Sequence, residues 1–97
     1  MPTYVVLGKY TEQGGRNIND AVNRLEVVER RLQEVGGKML SWHMTLGEYD
    51  VVTIIDLPSD DDLLRLALET AKVGSLRTTT LKAFTRDQVA AAVSKLT

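Results

Sequence analysis

The 97-residue sequence contains no cysteine, and this absence excludes several kinds of site. Without a thiol the chain has no disulfide framework, no cysteine nucleophile and no cysteine-ligated metal or iron–sulfur centre. Its single histidine, His43, has no second ligand-type residue at a metal-binding spacing. We therefore expect neither a bound metal nor another cofactor.

The chain also lacks an excess of positive charge. Its 12 Lys and Arg residues are balanced by 13 Asp and Glu residues, and the two signs are interspersed. Binding to nucleic acid or to an anionic membrane surface needs a basic excess, so we expect neither partner. No apolar stretch approaches the roughly 18 residues of a membrane span, and no signal-peptide pattern is present at the N-terminus. We therefore expect a cytoplasmic protein.

Hydrophobic residues make up 43% of the sequence, enough for one thin core. A chain this short hides only roughly two-thirds of the surface that its unfolded form exposes. We expect a single domain over residues 1–97, for which oligomerisation is an easy way to bury more surface.

Four segments rich in β-branched and aromatic residues predict β-strands. They are residues 3–10, 38–46, 51–57 and 76–84. Gly47 lies between the second and third of these segments, so a very tight turn should join them as antiparallel neighbours. Residues 11–17 (TEQGGRN) contain two consecutive glycines and predict a loop.

Apolar residues at steps of three and four predict a helix from Ile18 to the glycine pair at 36–37. Its apolar positions are Ile18, Val22, Leu25, Val28, Leu32 and Val35. Charged residues, Arg24 among them, should form its solvated face.

Two further helices are predicted in the second half of the chain. One begins after Ser59, whose side chain can accept hydrogen bonds from first-turn amides, and ends at Gly74. Its expected buried positions are Leu64, Ala67, Leu68 and Ala71. The other is short, is capped by Thr85, and has Val89, Val93 and Leu96 on one face.

The predicted order, β-α-β-β-α-β followed by a helix, is the ferredoxin-like pattern of an α+β protein. Two right-handed crossovers place both long helices on one face of a four-stranded antiparallel sheet. In the central strands, apolar residues occupy both sets of alternate positions and therefore point to both faces of the sheet. The second sheet face should thus also be covered. A second copy packed face to face, which forms a dimeric α/β barrel, is the simplest cover. A trimer packed through sheet edges is the main alternative.

Three segments of the sequence are distinctive together: MPTYVVLGKYTEQGGRNI at the start, GEYD at 47–50 and LRTTTLKAF at 76–84. In this order they resemble the GYD-domain family. The family is named for a Gly-x-Tyr-Asp turn, here Gly47, Tyr49 and Asp50. The resemblance implies a ferredoxin-like fold of the dimeric α/β-barrel type. It implies no particular activity, because related barrels include cofactor-independent monooxygenases, isomerases and haem enzymes.

The GEYD turn has a chemical and a structural interpretation. Asp50 could act as a general base beside Tyr49 as proton donor, at the mouth of a cavity. Alternatively, Gly47 supplies a positive φ, Asp50 binds local amides and Tyr49 packs on the sheet. Turn chemistry alone explains the glycine and the acid, so we favour the structural interpretation.

His43 should lie on the open face of the sheet, while the adjacent Trp42 points to the helices. This histidine could be a general base or an axial haem ligand. It could equally be a sheet or interface histidine with a satisfied hydrogen bond, which we favour. Together with Tyr49 and Asp50, it completes the set of candidate catalytic residues.

Residues 77–80 (RTTT) are unusually polar for a strand. Thr78 and Thr80 share one face and could line a pocket, and Arg77 on the other face could bind a carboxylate. A polar edge strand explains the same residues equally well. With Tyr4, these three residues form the predicted ligand-binding set. A weaker signal, GGRN at 14–17, precedes a helix and could hold an anion.

Three functions remain open. The first is an oligomeric small-molecule-binding protein or cofactor-independent enzyme of the barrel type. The second is a non-catalytic regulatory or ligand-sensing oligomer of PII-like architecture, and the third is a purely structural assembly protein. In each case the expected partner is another copy of the chain, bound through the open sheet face.

Overall fold

Four antiparallel strands form the sheet in a computed structural model, which describes residues 1–96. The strands are β1 (Thr3–Tyr10), β2 (Lys38–Met44), β3 (Val51–Asp56) and β4 (Leu76–Ala83). Their order across the sheet is β2-β3-β1-β4. This order and the helical crossovers confirm the predicted ferredoxin-like α+β fold.

Two long helices, α2 (Ala21–Glu34) and α3 (Asp60–Val73), lie on one face of the sheet. Two shorter helices are α1 (Glu12–Arg16) and α4 (Arg86–Val93), and a 3₁₀ turn (Ile18–Asp20) precedes α2. Within residues 1–96, no helix is long and apolar enough to cross a membrane.

The core lies at one end of the layer between helices and sheet. Four side chains are almost completely buried there: Tyr4, Leu32, Ile55 and Leu57. Val28, Leu63 and Leu66 pack against them from the two long helices. Alternate residues of β1 and β3 supply the floor of this core, as the period of a strand requires.

Most of the predicted helix boundaries are confirmed. Gly36 and Gly74 have φ values of 83° and 82°, the left-handed conformation that ends a helix cheaply in glycine. The Ser59 hydroxyl accepts a hydrogen bond from the Asp62 amide at 3.4 Å. Thr85 and Gln88 form a reciprocal capping box at the start of α4.

The segment at 11–17 is not the predicted loop, because it contains α1. Thr11 caps this helix: its hydroxyl accepts from the Gly14 amide at 3.2 Å and donates to the Gly74 carbonyl at 2.7 Å. Gly14 is buried, and a Cβ atom there would lie 2.0 Å from the Ser75 carbonyl oxygen. The glycine therefore allows close backbone packing rather than loop flexibility.

The connection between β2 and β3 is longer than the predicted tight turn. β2 ends at Met44, so residues 45–50 form the loop. Gly47 has a φ of 129°, which confirms the predicted positive value. A register shift between Met39 and Ser41 marks an irregularity in β2, which leaves Trp42 paired with Thr53.

The predicted buried stripe of α3 is wrong in phase. Leu64 and Leu68 are 58% and 61% exposed, and Ala71 is exposed as well. Ala67 faces the sheet as predicted, and Leu63, Leu66 and Thr70 lie on that side in place of Leu64, Leu68 and Ala71. Apolar residues at both 63–64 and 66–68 satisfy helical spacing in either phase, so periodicity alone does not choose between them.

Candidate functional site

A cavity of about 320 Å³ lies between the sheet and the two long helices. Val6, Thr53 and Thr80 belong to its floor, and Val28 and Ala67 to its roof. Exposed residues at its margin, Val27, Val73 and Thr78, show that it communicates with solvent. Its volume falls at the lower end of the range for small-ligand sites, about 300–1,000 Å³.

One end of the helix layer is held by an ion pair. The Arg31 guanidinium donates two hydrogen bonds to the Glu69 carboxylate, which links α2 to α3. The hydrogen bond from Arg31 lowers the pKa of Glu69. Both side chains are about 45% exposed, so solvent screens their attraction. The pair therefore fixes the position of α2 relative to α3 and adds little to the stability of the fold.

The opposite end of the cavity is polar. Arg24 lies there, and its Nη1 atom donates to the Asn17 carbonyl oxygen at 3.0 Å. Its Nη2 atom is buried and has no hydrogen-bond partner among residues 1–96. Tyr10 also lines this region; burial raises its pKa, while the charge of Arg24 acts in the opposite direction.

The predicted ligand-binding residues are divided between the two faces of the sheet. Thr78 and Thr80 line the cavity, as a pocket on their shared face requires. Arg77 is exposed on the opposite face, where it pairs with Lys9. Tyr4 is buried in the core, beyond the residues that line the cavity.

The Tyr4 side chain connects β1 to the start of α3. Its hydroxyl donates a short hydrogen bond to the Asp60 carboxylate. Burial, followed by this hydrogen bond and the charge of Asp60, raises the pKa of Tyr4 to about 12. The hydroxyl therefore has a structural partner in the folded chain.

Asp50 uses its polar groups to extend the sheet. Its carboxylate accepts from the Tyr10 amide at 2.9 Å, and its own amide donates to the Gly8 carbonyl at 2.8 Å. Its carbonyl accepts from the Thr45 amide at 2.7 Å. These contacts agree with the structural interpretation of the GEYD turn, in which the acid binds local amides.

The other two candidate catalytic residues lie away from the cavity. His43 is exposed and pairs with Val52, whose side chain points to the open face of the sheet. The Tyr49 ring lies under the Lys9 ammonium, with 5.2 Å between the nitrogen and the ring centroid. The fold does not bring His43, Tyr49 and Asp50 together with Thr78 and Thr80 around one cavity.

Sequence reasoning missed Arg24, which was expected on a solvated face. The side chain is partly buried, because Ala21, Arg24 and Val28 follow the same spacing as the apolar stripe of α2. The sequence therefore contained a signal for the burial of Arg24, because this arginine occupies a helix position on the same face as core residues. Trp42 lies on the helix side, as predicted, and lines the cavity.

Among residues 1–96, no group of three or more His, Asp or Glu side chains is arranged to hold a metal ion. The sequence supplies no cysteine to add to such a group.

Comparison with known proteins assigns the family. The sequence profile of the GYD domain matches residues 4–93. The chain is also similar to a Thermus thermophilus protein named glutamine synthetase and cystathionine beta-lyase binding protein. The two are 30% identical over 84 residues, which are 86% of this chain and 88% of the relative. No solved structure matched the chain significantly. The profile match includes the Gly47-x-Tyr49-Asp50 turn and all of the sheet except Thr3, the first residue of β1, and the chain therefore belongs to the GYD domain family.

Proposed function

We propose that this protein is a non-catalytic binding protein, which forms a homo-oligomer and associates with a metabolic enzyme. The observation that carries the proposal is the apolar surface that remains exposed outside the cavity. His43, Tyr49 and Asp50 are absent from the residues that line the cavity, which favours binding over catalysis. The name of the Thermus relative, a binding protein for two enzymes, supports the same role.

The open face of the sheet is the proposed contact between copies. Val5, Leu7, Val52 and Ile54 form its centre, with Leu81 half exposed beside them. The two long helices lie on the other face of the sheet and leave these apolar side chains uncovered by α2 and α3, and one apolar face complements another copy of itself. The small net charge of −1 adds little repulsion between copies.

Helix α4 supplies a second argument for a partner copy. Val89, Val93 and Leu96 are 51%, 56% and 75% exposed, so its apolar face lacks a cover. The helix has only eight residues, and an isolated helix of this length is marginal in water even with good caps. Packing against a second copy would provide the burial that α4 lacks within its own chain.

The outer face of α3 is the proposed contact with an enzyme. Its exposed leucines, Leu64 and Leu68, lie one helical turn apart and point away from the sheet. A face-to-face oligomer would cover the opposite side of the sheet, so these leucines would stay accessible. Exposed Arg65 and Lys72 border them with charge, as expected at the rim of a protein interface.

The first test is the oligomeric state, measured by native mass spectrometry at micromolar concentration. We expect an even-numbered assembly for the wild type and dissociation for Val93→Asp. Ala91→Asp is the matched control, because it adds the same charge on the other side of α4. A wild-type monomer, or equal effects of the two variants, would contradict the oligomer proposal.

The second test is binding of glutamine synthetase and cystathionine beta-lyase, each purified from the organism that encodes this chain. Binding is measured by surface plasmon resonance. We expect wild-type protein to bind at least one enzyme and Leu68→Asp to lose that binding. Val22→Asp, at another exposed apolar position of the helix layer, should bind normally. Absence of binding to both enzymes would refute the proposed enzyme partner.

The cavity favours a second candidate function, which is small-molecule binding with Thr78 and Thr80 among the ligand contacts. A ligand-sensing oligomer and a cofactor-independent enzyme both remain consistent with a cavity of this kind. Catalysis by His43, Tyr49 and Asp50 stays a prediction, as does a cytoplasmic location. If the wild type converts a small molecule catalytically and His43→Ala does not, this result would support the enzymatic alternative over the binding role.

A further inference from the structure

Beyond association with proteins, we propose that the cavity binds a small organic carboxylate with an apolar body. The carboxylate lies against Arg24 and Tyr10 at the polar end. The body extends along Trp42 toward the core.

The unpaired guanidinium identifies the ligand head group. An arginine side chain stays charged at any physiological pH, and a buried N–H without a partner is costly. Arg24 is oriented by its bond to the Asn17 carbonyl at 3.0 Å, which leaves the buried Nη2 atom without a partner among residues 1–96. A carboxylate in the cavity would balance this charge, for which the described lining residues supply no acidic partner.

The other lining residues limit the charge of the ligand. Arg24 is the only charged side chain among the described residues that line the cavity. A single guanidinium matches a monoanion, whereas a phosphate ester with two negative charges usually requires several donors or cations. A cationic head group would meet repulsion from Arg24 and find no acidic partner in the lining.

The walls away from Arg24 define the body of the ligand. That part of the cavity is lined by Val28, Met39, Ile55, Leu63 and Leu66, whose only hydrogen-bonding group is the weakly accepting sulfur of Met39. An aliphatic or aromatic chain would restore the dispersion contacts that an unfilled cavity loses. The volume of about 320 Å³ suits a compact molecule.

The chain provides its own probe for this test. Trp42 is the only tryptophan and lines the cavity, so its fluorescence should respond when the cavity fills. We expect octanoate to change the emission saturably and to bind roughly tenfold or more tightly than 1-octanol, because only the acid forms a charge-assisted bond. Octylammonium should bind more weakly than either. Equal affinities for the acid and the alcohol, or no saturable response to octanoate, would overturn the proposal.

Two variants with matched controls locate the bound probe. Arg24→Met should weaken octanoate binding roughly tenfold or more and leave octanol binding nearly unchanged. Arg30→Met removes an exposed arginine from the same helix and should have no effect. An octanoate affinity that is unchanged in Arg24→Met would refute the assigned head-group site.

The second variant fills the cavity without touching Arg24. Ala67→Phe should abolish binding of octanoate and octanol, whereas Ala71→Phe on the exposed side of α3 should preserve both. Binding that survives in Ala67→Phe would place the probe elsewhere and overturn the proposal. This pair keeps the test decisive if Arg24→Met fails to fold. Oligomeric state and enzyme binding are measured separately, so the two proposals can fail independently.

Discussion

Replacing Asp50 with alanine tests whether the acid of the GEYD turn is a structural element. The carboxylate accepts the Tyr10 amide hydrogen at 2.9 Å, at a partly buried position. A hydrogen bond to a charged group contributes about 1.5–3 kcal/mol. The backbone bonds of Asp50 to Gly8 and Thr45 would remain in the variant. We therefore expect Asp50→Ala to lower the free energy of unfolding by about 2 kcal/mol.

The measurement is urea denaturation at one fixed protein concentration, since self-association would make stability depend on concentration. Asp50→Asn retains a neutral oxygen acceptor, so it should recover part of the loss. Glu48→Ala is the control, because this neighbouring acid is exposed and accepts no hydrogen bond from a backbone amide of residues 1–96. Its free energy of unfolding should stay within about 0.5 kcal/mol of the wild type.

Hydrogen exchange makes the same test specific to one bond. The Tyr10 amide should be protected in the wild type and should exchange faster in Asp50→Ala. A variant as stable as the wild type, with unchanged protection at Tyr10, would refute the structural role. Asp50 would then be available for chemistry, and the catalytic interpretation of the turn would regain support.

Two other substitutions test close packing and a buried hydroxyl. Gly14→Ala should destabilise the fold by about 1–3 kcal/mol or more in thermal unfolding, since its Cβ would overlap a backbone carbonyl oxygen. Gly15→Ala, where a Cβ meets nothing within 4 Å, should not destabilise it, and equal effects would contradict the argument. Because the pKa of Tyr4 rises from 10.0 to about 12 on folding, its contribution to stability is complete below pH 10 and should be lost as the pH rises toward 12. Tyr4→Phe should show a shallower alkaline loss in urea denaturation, and an unchanged slope would argue against the link to Asp60.

The fold was largely predictable because its signals are local. β1 has the same limits in prediction and structure, and the helix ends at Gly36 and Gly74 follow from the left-handed preference of glycine. The alternation of apolar residues along the strands and the preference for right-handed crossovers then allowed only a few orders of the strands in the sheet. The prediction failed where local signals are ambiguous: the phase of α3 allowed two faces, and the Gly14-Gly15 pair is also typical of a loop.

The candidate site was predictable only in part. Thr78 and Thr80 were placed on one face by the period of a strand, and they do line the cavity. Arg24 was missed, because its burial depends on how α2 lies against the sheet and on the nearby Asn17 carbonyl. Such distances arise between segments far apart in the sequence, where spacing rules do not apply.

The sequence by itself determined the α+β order, the helix caps, the two-sided apolar strands and the membership of the GYD domain family. These follow from residue types and spacings within short segments. Only the tertiary structure decided that Asp50 binds the Tyr10 amide, that a cavity lies between the helices and the sheet, and that a buried guanidinium nitrogen has no hydrogen-bond partner among residues 1–96. The physical reason is that hydrogen bonding and burial depend on ångström-scale distances, which are set only when the sheet and helices pack together.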